Sequence, residues 1–315
     1  MKKKLKGLTF ALVLTILFPT VIEAEKFSMF YHQGIFSNHN LAQITIQWIP
    51  KTKLENIYPI TLHVSNQEIY ENIQKIPVLL YHHILPNALN TNHRNNSSVI
   101  SLEDFEAQMS YLDRNGFTTI TITQLEKFLF DGVPLPNRSV MIHFDDGYYS
   151  NFVYAMPILE RYGFVAQLFL MGKAVCDRGD IQPCMNHAGL TFTAAKTIKG
   201  TEHVFETASH TFAKHDLVKG TRHTAFVYDD RDTVKQDLIR SFDFVNNHRT
   251  FAYPQGQYSA ETIELLQDLG IRMAFTTQKG YITSKANAMI LPRNIIFPNT
   301  SIQDFSDILG VGVFE

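Results

Sequence analysis

From residue 76 onward, short apolar stretches alternate with helical patterns, and this alternation constrains the fold more than any other feature of the sequence. The patterns predict strands at 76–84, 139–144, 165–171, 204–209, 250–253 and 271–277. They predict helices at 101–116, 125–129, 153–162 and about 231–245 and 260–268. Strands alternating with helices indicate a mainly parallel sheet, and six to eight such units favour a (β/α) barrel over an open sheet.

The residues before this pattern predict two further segments. Lys2, Lys3, Lys4 and Lys6 precede an apolar run that ends near Ala24, which is the layout of a secretory signal peptide over 1–24. An uncleaved membrane anchor is the alternative, because the residue at the −3 position, Ile22, is large for cleavage. Residues 25–75 contain two alternating apolar and polar stretches, which predict a small β-rich extension.

Composition excludes some functions and leaves the cysteines open. The chain has 315 residues, is 45% hydrophobic and carries a net charge of −2, which suits one large domain with an appendage and argues against a nucleic-acid partner. Cys176 and Cys184 are the two cysteines. In an oxidising compartment they could form a disulfide, and free thiols are the alternative.

Three polar segments each follow a predicted strand. The first contains Asp145 and Asp146, the second spans 209–215 with His210 and His215, and the third is a turn at 253–256. Because functional groups of such barrels collect where strands end, we expect the three segments to meet. Two carboxylates, two histidines and a tight turn are the components of a hydrolytic metal site.

The residue types suggest a division of labour. Asp145 and Asp146 are adjacent, so their side chains point in different directions. Asp146 with His210 and His215 would form a three-ligand set, and Asp145 would remain to take a proton from water. The turn could direct a backbone N–H toward a developing oxyanion, and Gln255 is the candidate because the preceding proline has no N–H.

Together these segments resemble the polysaccharide deacetylase family, that is, the NodB-homology domain or carbohydrate esterase family 4. The resemblance covers roughly residues 76–310 and rests on Phe-Asp-Asp-Gly, His-x4-His and Tyr-Pro-x-Gly. It implies a deformed (β/α) barrel and metal-dependent removal of acetyl groups from a glycan. It also implies that Asp145 is the base and that Asp146, His210 and His215 hold the metal. The form of the motifs is similar to the poly-N-acetylglucosamine deacetylase branch.

The sequence departs from the family pattern at three positions. His143 replaces the usual Thr, and it could reach the site and contact Asp145 or substrate, or it could be a packed barrel histidine. Ala252 occupies the place of an Arg that orients the base in many relatives. Arg293 stands where a Leu-x-His general acid is usual, and because Arg stays protonated it could instead stabilise charge or hold Asp145.

We therefore predict an exported polysaccharide N-deacetylase acting on N-acetylglucosamine units of an extracellular or cell-wall polysaccharide. The predicted site consists of catalytic Asp145, Gln255 and Arg293, the metal ligands Asp146, His210 and His215, and the substrate contacts Tyr148, Tyr253 and His143. The expected metal is Zn²⁺, with Co²⁺ or Ni²⁺ as alternatives.

Alternatives remain for the function. They are a peptidoglycan or chitooligosaccharide deacetylase and a glycan-binding relative without catalysis, and Tyr148 could anchor its loop rather than stack on a sugar. Expected partners are a polysaccharide and no nucleic acid, with a monomeric chain and membrane contact only if the signal segment stays uncleaved.

Overall fold

A computed structural model of the chain describes residues 74–174 and 200–310, together with the backbone of short strands at 27–30, 41–50, 59–65, 184–185 and 191–192. The chain divides into two compact units, with the boundary between Asn72 and Ile73. In the first unit, β1 (Phe27–Phe30), β2 (Leu41–Pro50) and β3 (Pro59–Ser65) form an antiparallel sheet in the order β1-β2-β3.

The second unit contains the remaining strands. They are β4 (Ile76–Tyr81), β5 (His83–Leu85), β6 (Val99–Ser101), β7 (Thr118–Thr119), β8 (Ser139–Asp146), β9 (Ala166–Leu170), β10 (Cys184–Met185), β11 (Thr191–Phe192), β12 (Phe205–Ser209), β13 (Asn247–Ala252), β14 (Met273–Phe275), β15 (Tyr281–Ile282) and β16 (Asn294–Ile295).

Its α-helices are α1 (Leu102–Arg114), α2 (Ile122–Asp131), α3 (Met156–Tyr162), α4 (Ala225–Tyr228), α5 (Arg231–Ser241), α6 (Ala260–Asp268) and α7 (Ile302–Leu309). Side chains at their N-caps explain where several of them begin. Ser101 caps α1, and Thr121 forms a capping box with Gln124 at the start of α2. Among the residues described, no helix has the length and apolar character needed to cross a membrane.

The main sheet is parallel over most of its width. Its order is β14-β13-β12-β9-β8-β4-β15, with β16 also paired to β4 and β7 to β8. Only β15 among these pairs antiparallel, against β4. The sheet curls, because Leu291 bridges to β14 at one edge while Asn294 pairs with Leu79 of β4 near the other. The short segment from Leu291 to β16 thus joins both sides of the curled sheet.

This architecture confirms the predicted deformed (β/α) barrel. Buried apolar residues lie on both faces of the strands. On one face Leu79, Ile142 and Leu168 pack with α1 and α3, and on the other Met141 and Phe275 pack among further buried side chains. Two local predictions were wrong. The run at 76–84 is two strands separated at His82, and the second helix begins at Ile122 because the Thr121 capping box adds a turn.

Several predictions fall outside the described residues. They include the signal segment at 1–24, the side chains of the β-rich extension and Cys176; for Cys184 only the backbone is described. The choice between a disulfide and free thiols therefore stays open. The cleavage site and the division into segments 1–24, 25–75 and 76–315 remain predictions.

Candidate active site

The first segment lies at the end of β8, which places its two carboxylates at the carboxyl edge of the sheet. Asp145 and Asp146 are the last residues of this fully buried strand. The turn after them requires glycine: Gly147 has φ +82°, and a Cβ there would lie 2.7 Å from Leu170 Cδ2. The backbone thus turns sharply beneath β9 and leaves both carboxyl groups at the strand end.

Parallel register brings the second segment beside the first. Asp146 pairs with Leu170 of β9, and Leu170 pairs with Ser209 of β12. His210 follows directly, and its N–H donates to the Leu170 carbonyl at 2.9 Å. Sequence reasoning could predict this meeting, since the carboxyl ends of neighbouring parallel strands lie at one edge.

Asp146, His210 and His215 form a group with the geometry of a metal site. Nε2 of His210 lies 3.7 Å, and Nε2 of His215 3.6 Å, from Asp146 Oδ1. One ligand atom from each residue lies within 4.8 Å of the others. Bonds of about 2.0–2.2 Å at tetrahedral angles place ligand atoms about 3.3–3.5 Å apart, close to what is seen. Asp146 Oδ1 is buried and has no hydrogen-bond partner within the described residues, so the donor set fits a divalent ion.

Hydrogen bonding orients His210 as a ligand. Its Nδ1–H donates to the Ala252 carbonyl at 2.7 Å, which leaves the lone pair of Nε2 directed at Asp146. Burial lowers the pKa of His210 to about 4, although the neighbouring carboxylates oppose this shift. The imidazole is therefore neutral near pH 7, as a metal ligand must be. Ala252, where the resemblance led us to expect an Arg, contributes to the site through its backbone carbonyl.

Arg293 holds Asp145 through a buried bidentate ion pair. Nη1 and Nη2 donate to Oδ1 and Oδ2 of Asp145 at 2.7 and 2.8 Å, and Nε donates to the Thr276 carbonyl at 2.8 Å. Arg293 is fully buried and lies in the segment that joins the two sides of the curled sheet. Of the two roles considered for Arg293, holding Asp145 matches this contact.

The environment keeps Asp145 ionised. Burial alone raises the pKa of Asp145, but the charge of Arg293, the neighbouring His210, the Arg293 hydrogen bond and His82 together outweigh burial. The pKa of this carboxyl therefore lies well below its usual range. Asp145 Oδ2 lies 3.8 Å from His210 Nε2, so the ionised carboxylate sits beside the three-ligand group.

His143 does not lie where a polysaccharide could touch it. The side chain is fully buried, with its ring centroid 5.0 Å from that of Phe169 and 4.6 Å from that of Phe275. Burial, and then the charge of Arg293, lower the pKa of His143 well below its usual value. The prediction that His143 contacts substrate was therefore wrong. Its side chain points into the barrel, as the alternative of a packed barrel histidine predicted.

Tyr148 also turns inward rather than toward a sugar groove. It is 7% exposed, its ring stacks on His83 at 4.9 Å, and it hydrogen-bonds to Asp146. Burial, together with the Asp146 charge and this hydrogen bond, raises the pKa of Tyr148 above its usual value. Tyr148 thus anchors its loop and orients Asp146, while its neighbour Tyr149 is partly exposed.

In the third segment, Tyr253 belongs to the core, which corrects its prediction as a substrate contact. It is fully buried, packs against Phe226 and Phe251, and donates its hydroxyl to the Met289 carbonyl at 2.9 Å. Gln255 is exposed and has φ +52° in the following turn. The turn follows β13, but the role of the Gln255 N–H as an oxyanion donor stays a prediction.

His82 is a candidate that sequence reasoning did not select. It directly follows β4, whose Tyr81 pairs with Phe144 of β8, so it lies next to Asp145 in the parallel register. It is partly exposed, and its charge contributes to lowering the pKa of Asp145. The sequence signal for such a residue was the pair of adjacent histidines at a strand end. Only the structure shows that His82 lies at the site and that His83 is buried.

Unusual backbone conformations mark each of the three segments. Four non-glycine residues among those described have positive φ, and three of them are Asp146 (72°), Thr211 (71°) and Gln255 (52°). Such conformations cost free energy and cluster at functional sites, where the surrounding structure imposes them. Their occurrence in every segment supports the assignment of this edge as the active site.

Comparison with known families agrees with this geometry. Residues 132–274 match the family model described as polysaccharide deacetylase, a range that includes all three segments. The chain contains a polysaccharide deacetylase domain. The resemblance predicted from the motifs is thereby confirmed, and the deacetylase is a hydrolase of the polysaccharide N-deacetylase type.

Curated relatives and a solved structure resemble the chain over 62–75% of its length. Two proteins named poly-β-1,6-N-acetyl-D-glucosamine N-deacetylase are similar to it. The one from Staphylococcus epidermidis is 27% identical over 204 residues, 62% of this chain and 66% of its own length. The one from Escherichia coli is 25% identical over 229 residues, 63% of this chain but only 34% of its own length. The structure of IcaB from Ammonifex degensii superposes with a TM-score of 0.63 at 23% identity, over 75% of this chain and 96% of that one.

Proposed function

We propose that the deacetylase removes acetyl groups from N-acetylglucosamine units of an exported polysaccharide, and that it requires a divalent metal ion. The observation that carries the proposal is the pairing of a three-ligand group, Asp146, His210 and His215, with a separate carboxylate, Asp145, that Arg293 keeps ionised. A binding protein would have no use for that second carboxylate.

The three ligands would leave coordination positions for water and substrate, as hydrolytic zinc sites do. A divalent ion bound there supplies a Lewis acid that polarises the acetyl carbonyl and acidifies water. Mixed nitrogen and oxygen donors suit Zn²⁺, with Co²⁺ and Ni²⁺ as alternatives. Asp146 Oδ1 is the buried oxygen that faces both histidines, and its lack of a hydrogen-bond partner leaves it available for the ion.

Two side chains would handle the protons of amide hydrolysis. Asp145 accepts a proton from the attacking water, and the Arg293 fork fixes the direction of both carboxylate oxygens. When the carbon–nitrogen bond breaks, the leaving amine needs a proton, and we assign His82 as its donor. His82 is partly exposed beside Asp145, whereas Arg293 is fully buried and permanently charged. The Gln255 N–H would stabilise the developing oxyanion.

The names of the two relatives support poly-β-1,6-N-acetylglucosamine as the substrate class. A basic and then apolar N-terminal stretch supports export of the chain. We propose a secreted, cell-surface or periplasmic location on that basis, with a polysaccharide as the partner and a monomeric enzyme.

The test is release of free amine by purified residues 25–315 with added Zn²⁺. Poly-β-1,6-N-acetylglucosamine oligomers, chitooligosaccharides and peptidoglycan are compared at equal acetyl content. We expect the first to react fastest. A faster reaction on either of the others would reassign the substrate, and glycan binding without any amine release would favour the binding-protein alternative.

Asp145→Asn is the control for the chemistry. Asn cannot accept the proton, so we expect amine release to fall at least about 10²–10⁴-fold while the metal stays bound. Loss of metal from this variant would mean that the two aspartates have exchanged roles. His82→Gln should lower the turnover number with little change in metal content, and unchanged turnover would remove His82 as the proton donor.

A further inference from the structure

The loop between the two histidine ligands is held from two sides, by the turn after β9 and by helix α5. Residues 210–215 leave β12 with Thr211 at φ +71°, so the loop contains a strained position directly after the first ligand. Such a conformation persists only where contacts around it impose it. On one side these contacts come from β9 and the turn after it: Gly172 N–H donates to the Thr211 carbonyl at 3.0 Å and Lys173 N–H to the Phe212 carbonyl at 2.8 Å.

On the other side, Asp237 of α5 accepts two successive backbone N–H groups. Phe212 N–H donates to Oδ2 and Ala213 N–H to Oδ1, both at 2.8 Å. These two residues are the middle of the loop, midway between His210 and His215. A bidentate carboxylate bound in this way fixes both the position and the orientation of the two peptide groups.

Neighbouring side chains of α5 complete the contact. Arg240, three residues after Asp237, lies over the Phe212 ring at 3.7 Å. Ser241, four residues after Asp237, exchanges a hydrogen bond with Ser209 Oγ at 2.6 Å, and Ser209 Oγ accepts from Thr211 N–H at 3.2 Å. Residues three and four apart lie on one face of a helix. Asp237, Arg240 and Ser241 therefore form a single face of α5 that contacts residues 209–213.

Helix stability does not explain Asp237. Asp is a poor helix former in a helix interior, and burial of a carboxylate is unfavourable unless hydrogen bonds compensate for it. Asp237 is nevertheless only 8% exposed, near the C-terminal half of α5 where its charge opposes the helix dipole. The two hydrogen bonds from the backbone of the ligand loop offset the unfavourable burial of this carboxylate.

We propose that Asp237, supported by Arg240 and Ser241, is a positioning residue that presets the spacing of His210 and His215 for a divalent metal ion. This inference rests on the proposed metal site. Without the carboxylate, two partly buried N–H groups lose their acceptor and the loop can leave the conformation that directs both Nε2 atoms at Asp146. The ion must then order the loop when it binds, and affinity falls.

The test measures Zn²⁺ affinity directly, by competition with a chromogenic chelator, at a temperature where circular dichroism shows each variant folded. Asp237→Asn keeps the size of the side chain but replaces one acceptor with a donor. We expect its dissociation constant to rise about 10–100-fold, the range for residues that orient metal ligands. In the metal-free protein, the amides of Phe212 and Ala213 should exchange faster with solvent. Asp243→Asn, an equal charge change at an exposed position, should change neither quantity.

Unchanged affinity and exchange in Asp237→Asn would overturn the inference. If that variant does not fold, Ser241→Ala decides instead, since it removes only the link to Ser209: a smaller loss of affinity is expected, and wild-type affinity would overturn the proposal. Failure of the proposed metal site itself is distinguishable, because His210→Ala would then bind Zn²⁺ as the wild type does.

Discussion

The ion pairs at the two ends of the barrel differ in how far their side chains are buried. At the carboxyl ends of the strands, Asp145 and Arg293 form an ion pair with side chains 4% and 0% exposed. At the amino ends, Arg249 and Arg272 pair with Glu126 of α2, and the two arginine side chains are 54% and 38% exposed. Buried charges are costly unless they are paired, whereas exposed pairs contribute little. The carboxyl end therefore contains a buried ion pair that is unfavourable for stability but keeps Asp145 ionised, whereas the ion pairs at the amino end contain arginines that remain in contact with water.

The largest effect is expected from His210→Ala. It removes one of three ligands at the carboxyl end, so we expect loss of bound metal and of amine release together. Metal content after dialysis, measured by mass spectrometry, and amine release are the readouts. His203→Ala, at an exposed histidine paired with Glu160, is the control and should retain both. Stoichiometric metal in His210→Ala would remove His210 from the ligand set.

A direct test of the comparison replaces one arginine from each end. Arg293→Met leaves Asp145 buried without its countercharge, and we expect the free energy of unfolding to fall by about 3–5 kcal/mol. Arg249→Met breaks an exposed pair and should cost at most about 1 kcal/mol. Urea unfolding of both metal-free variants provides the measurement. Equal losses in the free energy of unfolding would mean that burial does not determine how much each ion pair contributes to stability.

In Arg293→Met, the pKa of Asp145 should also rise, because burial then acts without the opposing charge. A higher pKa means that Asp145 takes up its proton at a higher pH. The acid limb of the pH dependence of kcat/KM should therefore move to higher pH in this variant, and an unmoved limb would show that Asp145 does not govern it.

A smaller effect is expected from pH acting on His83, also buried near the carboxyl end. Burial, and then the charge of His93, lower the pKa of His83 to about 4 from its usual 6.5. Between these values the unfolded chain binds a proton that the folded chain does not, so stability falls as pH falls through this window. For one such group, the free energy of unfolding falls by about 1.5 kcal/mol as the pH falls from 6.5 to 5.

We expect His83→Phe, measured by urea unfolding of the metal-free protein, to show a shallower loss of stability between pH 7 and pH 5 than the wild type. Phe preserves the stacking on Tyr148 while removing the titrating group. His248→Phe, at an exposed histidine near the amino end of β13, should leave the slope unchanged. Identical slopes for all three proteins would show that His83 is not the source of the pH dependence.

The smallest effect is expected from Glu126→Gln at the amino end. This change removes the countercharge of both Arg249 and Arg272, yet the arginines remain accessible to water. We expect a loss of about 0.5–1 kcal/mol and unaltered amine release. A loss approaching that of Arg293→Met would break the contrast between the two ends.

The meeting of the three segments was predictable because it follows from local rules. Each segment directly follows an apolar stretch, and parallel strands place such ends at one edge. The register from Asp146 through Leu170 to Ser209 fulfils that expectation. The break at His82 was less visible, since no glycine or proline stands between Tyr81 and Ile84 to show where a strand leaves one sheet for another.

Side-chain direction at the site was much less predictable. Tyr148 and Tyr253 both flank functional residues, and both were expected to face substrate. The structure turns Tyr148 onto His83 and buries Tyr253 among Phe226 and Phe251. Burial of an aromatic ring is favourable relative to exposure. Only the packing of neighbouring elements, however, decides whether a buried position is available for a given ring.

The type of sheet, the order of its units along the chain and the strand ends that carry the functional residues could be predicted, because they depend on periodicity and on residues adjacent in the chain. Tertiary structure alone decided which partners those residues have. Arg293 reaches Asp145 across 148 positions, and Asp237 reaches Phe212 across 25. Such contacts depend on how the sheet curls and where a helix packs. No local pattern of residues predicts contacts between residues so far apart in the chain.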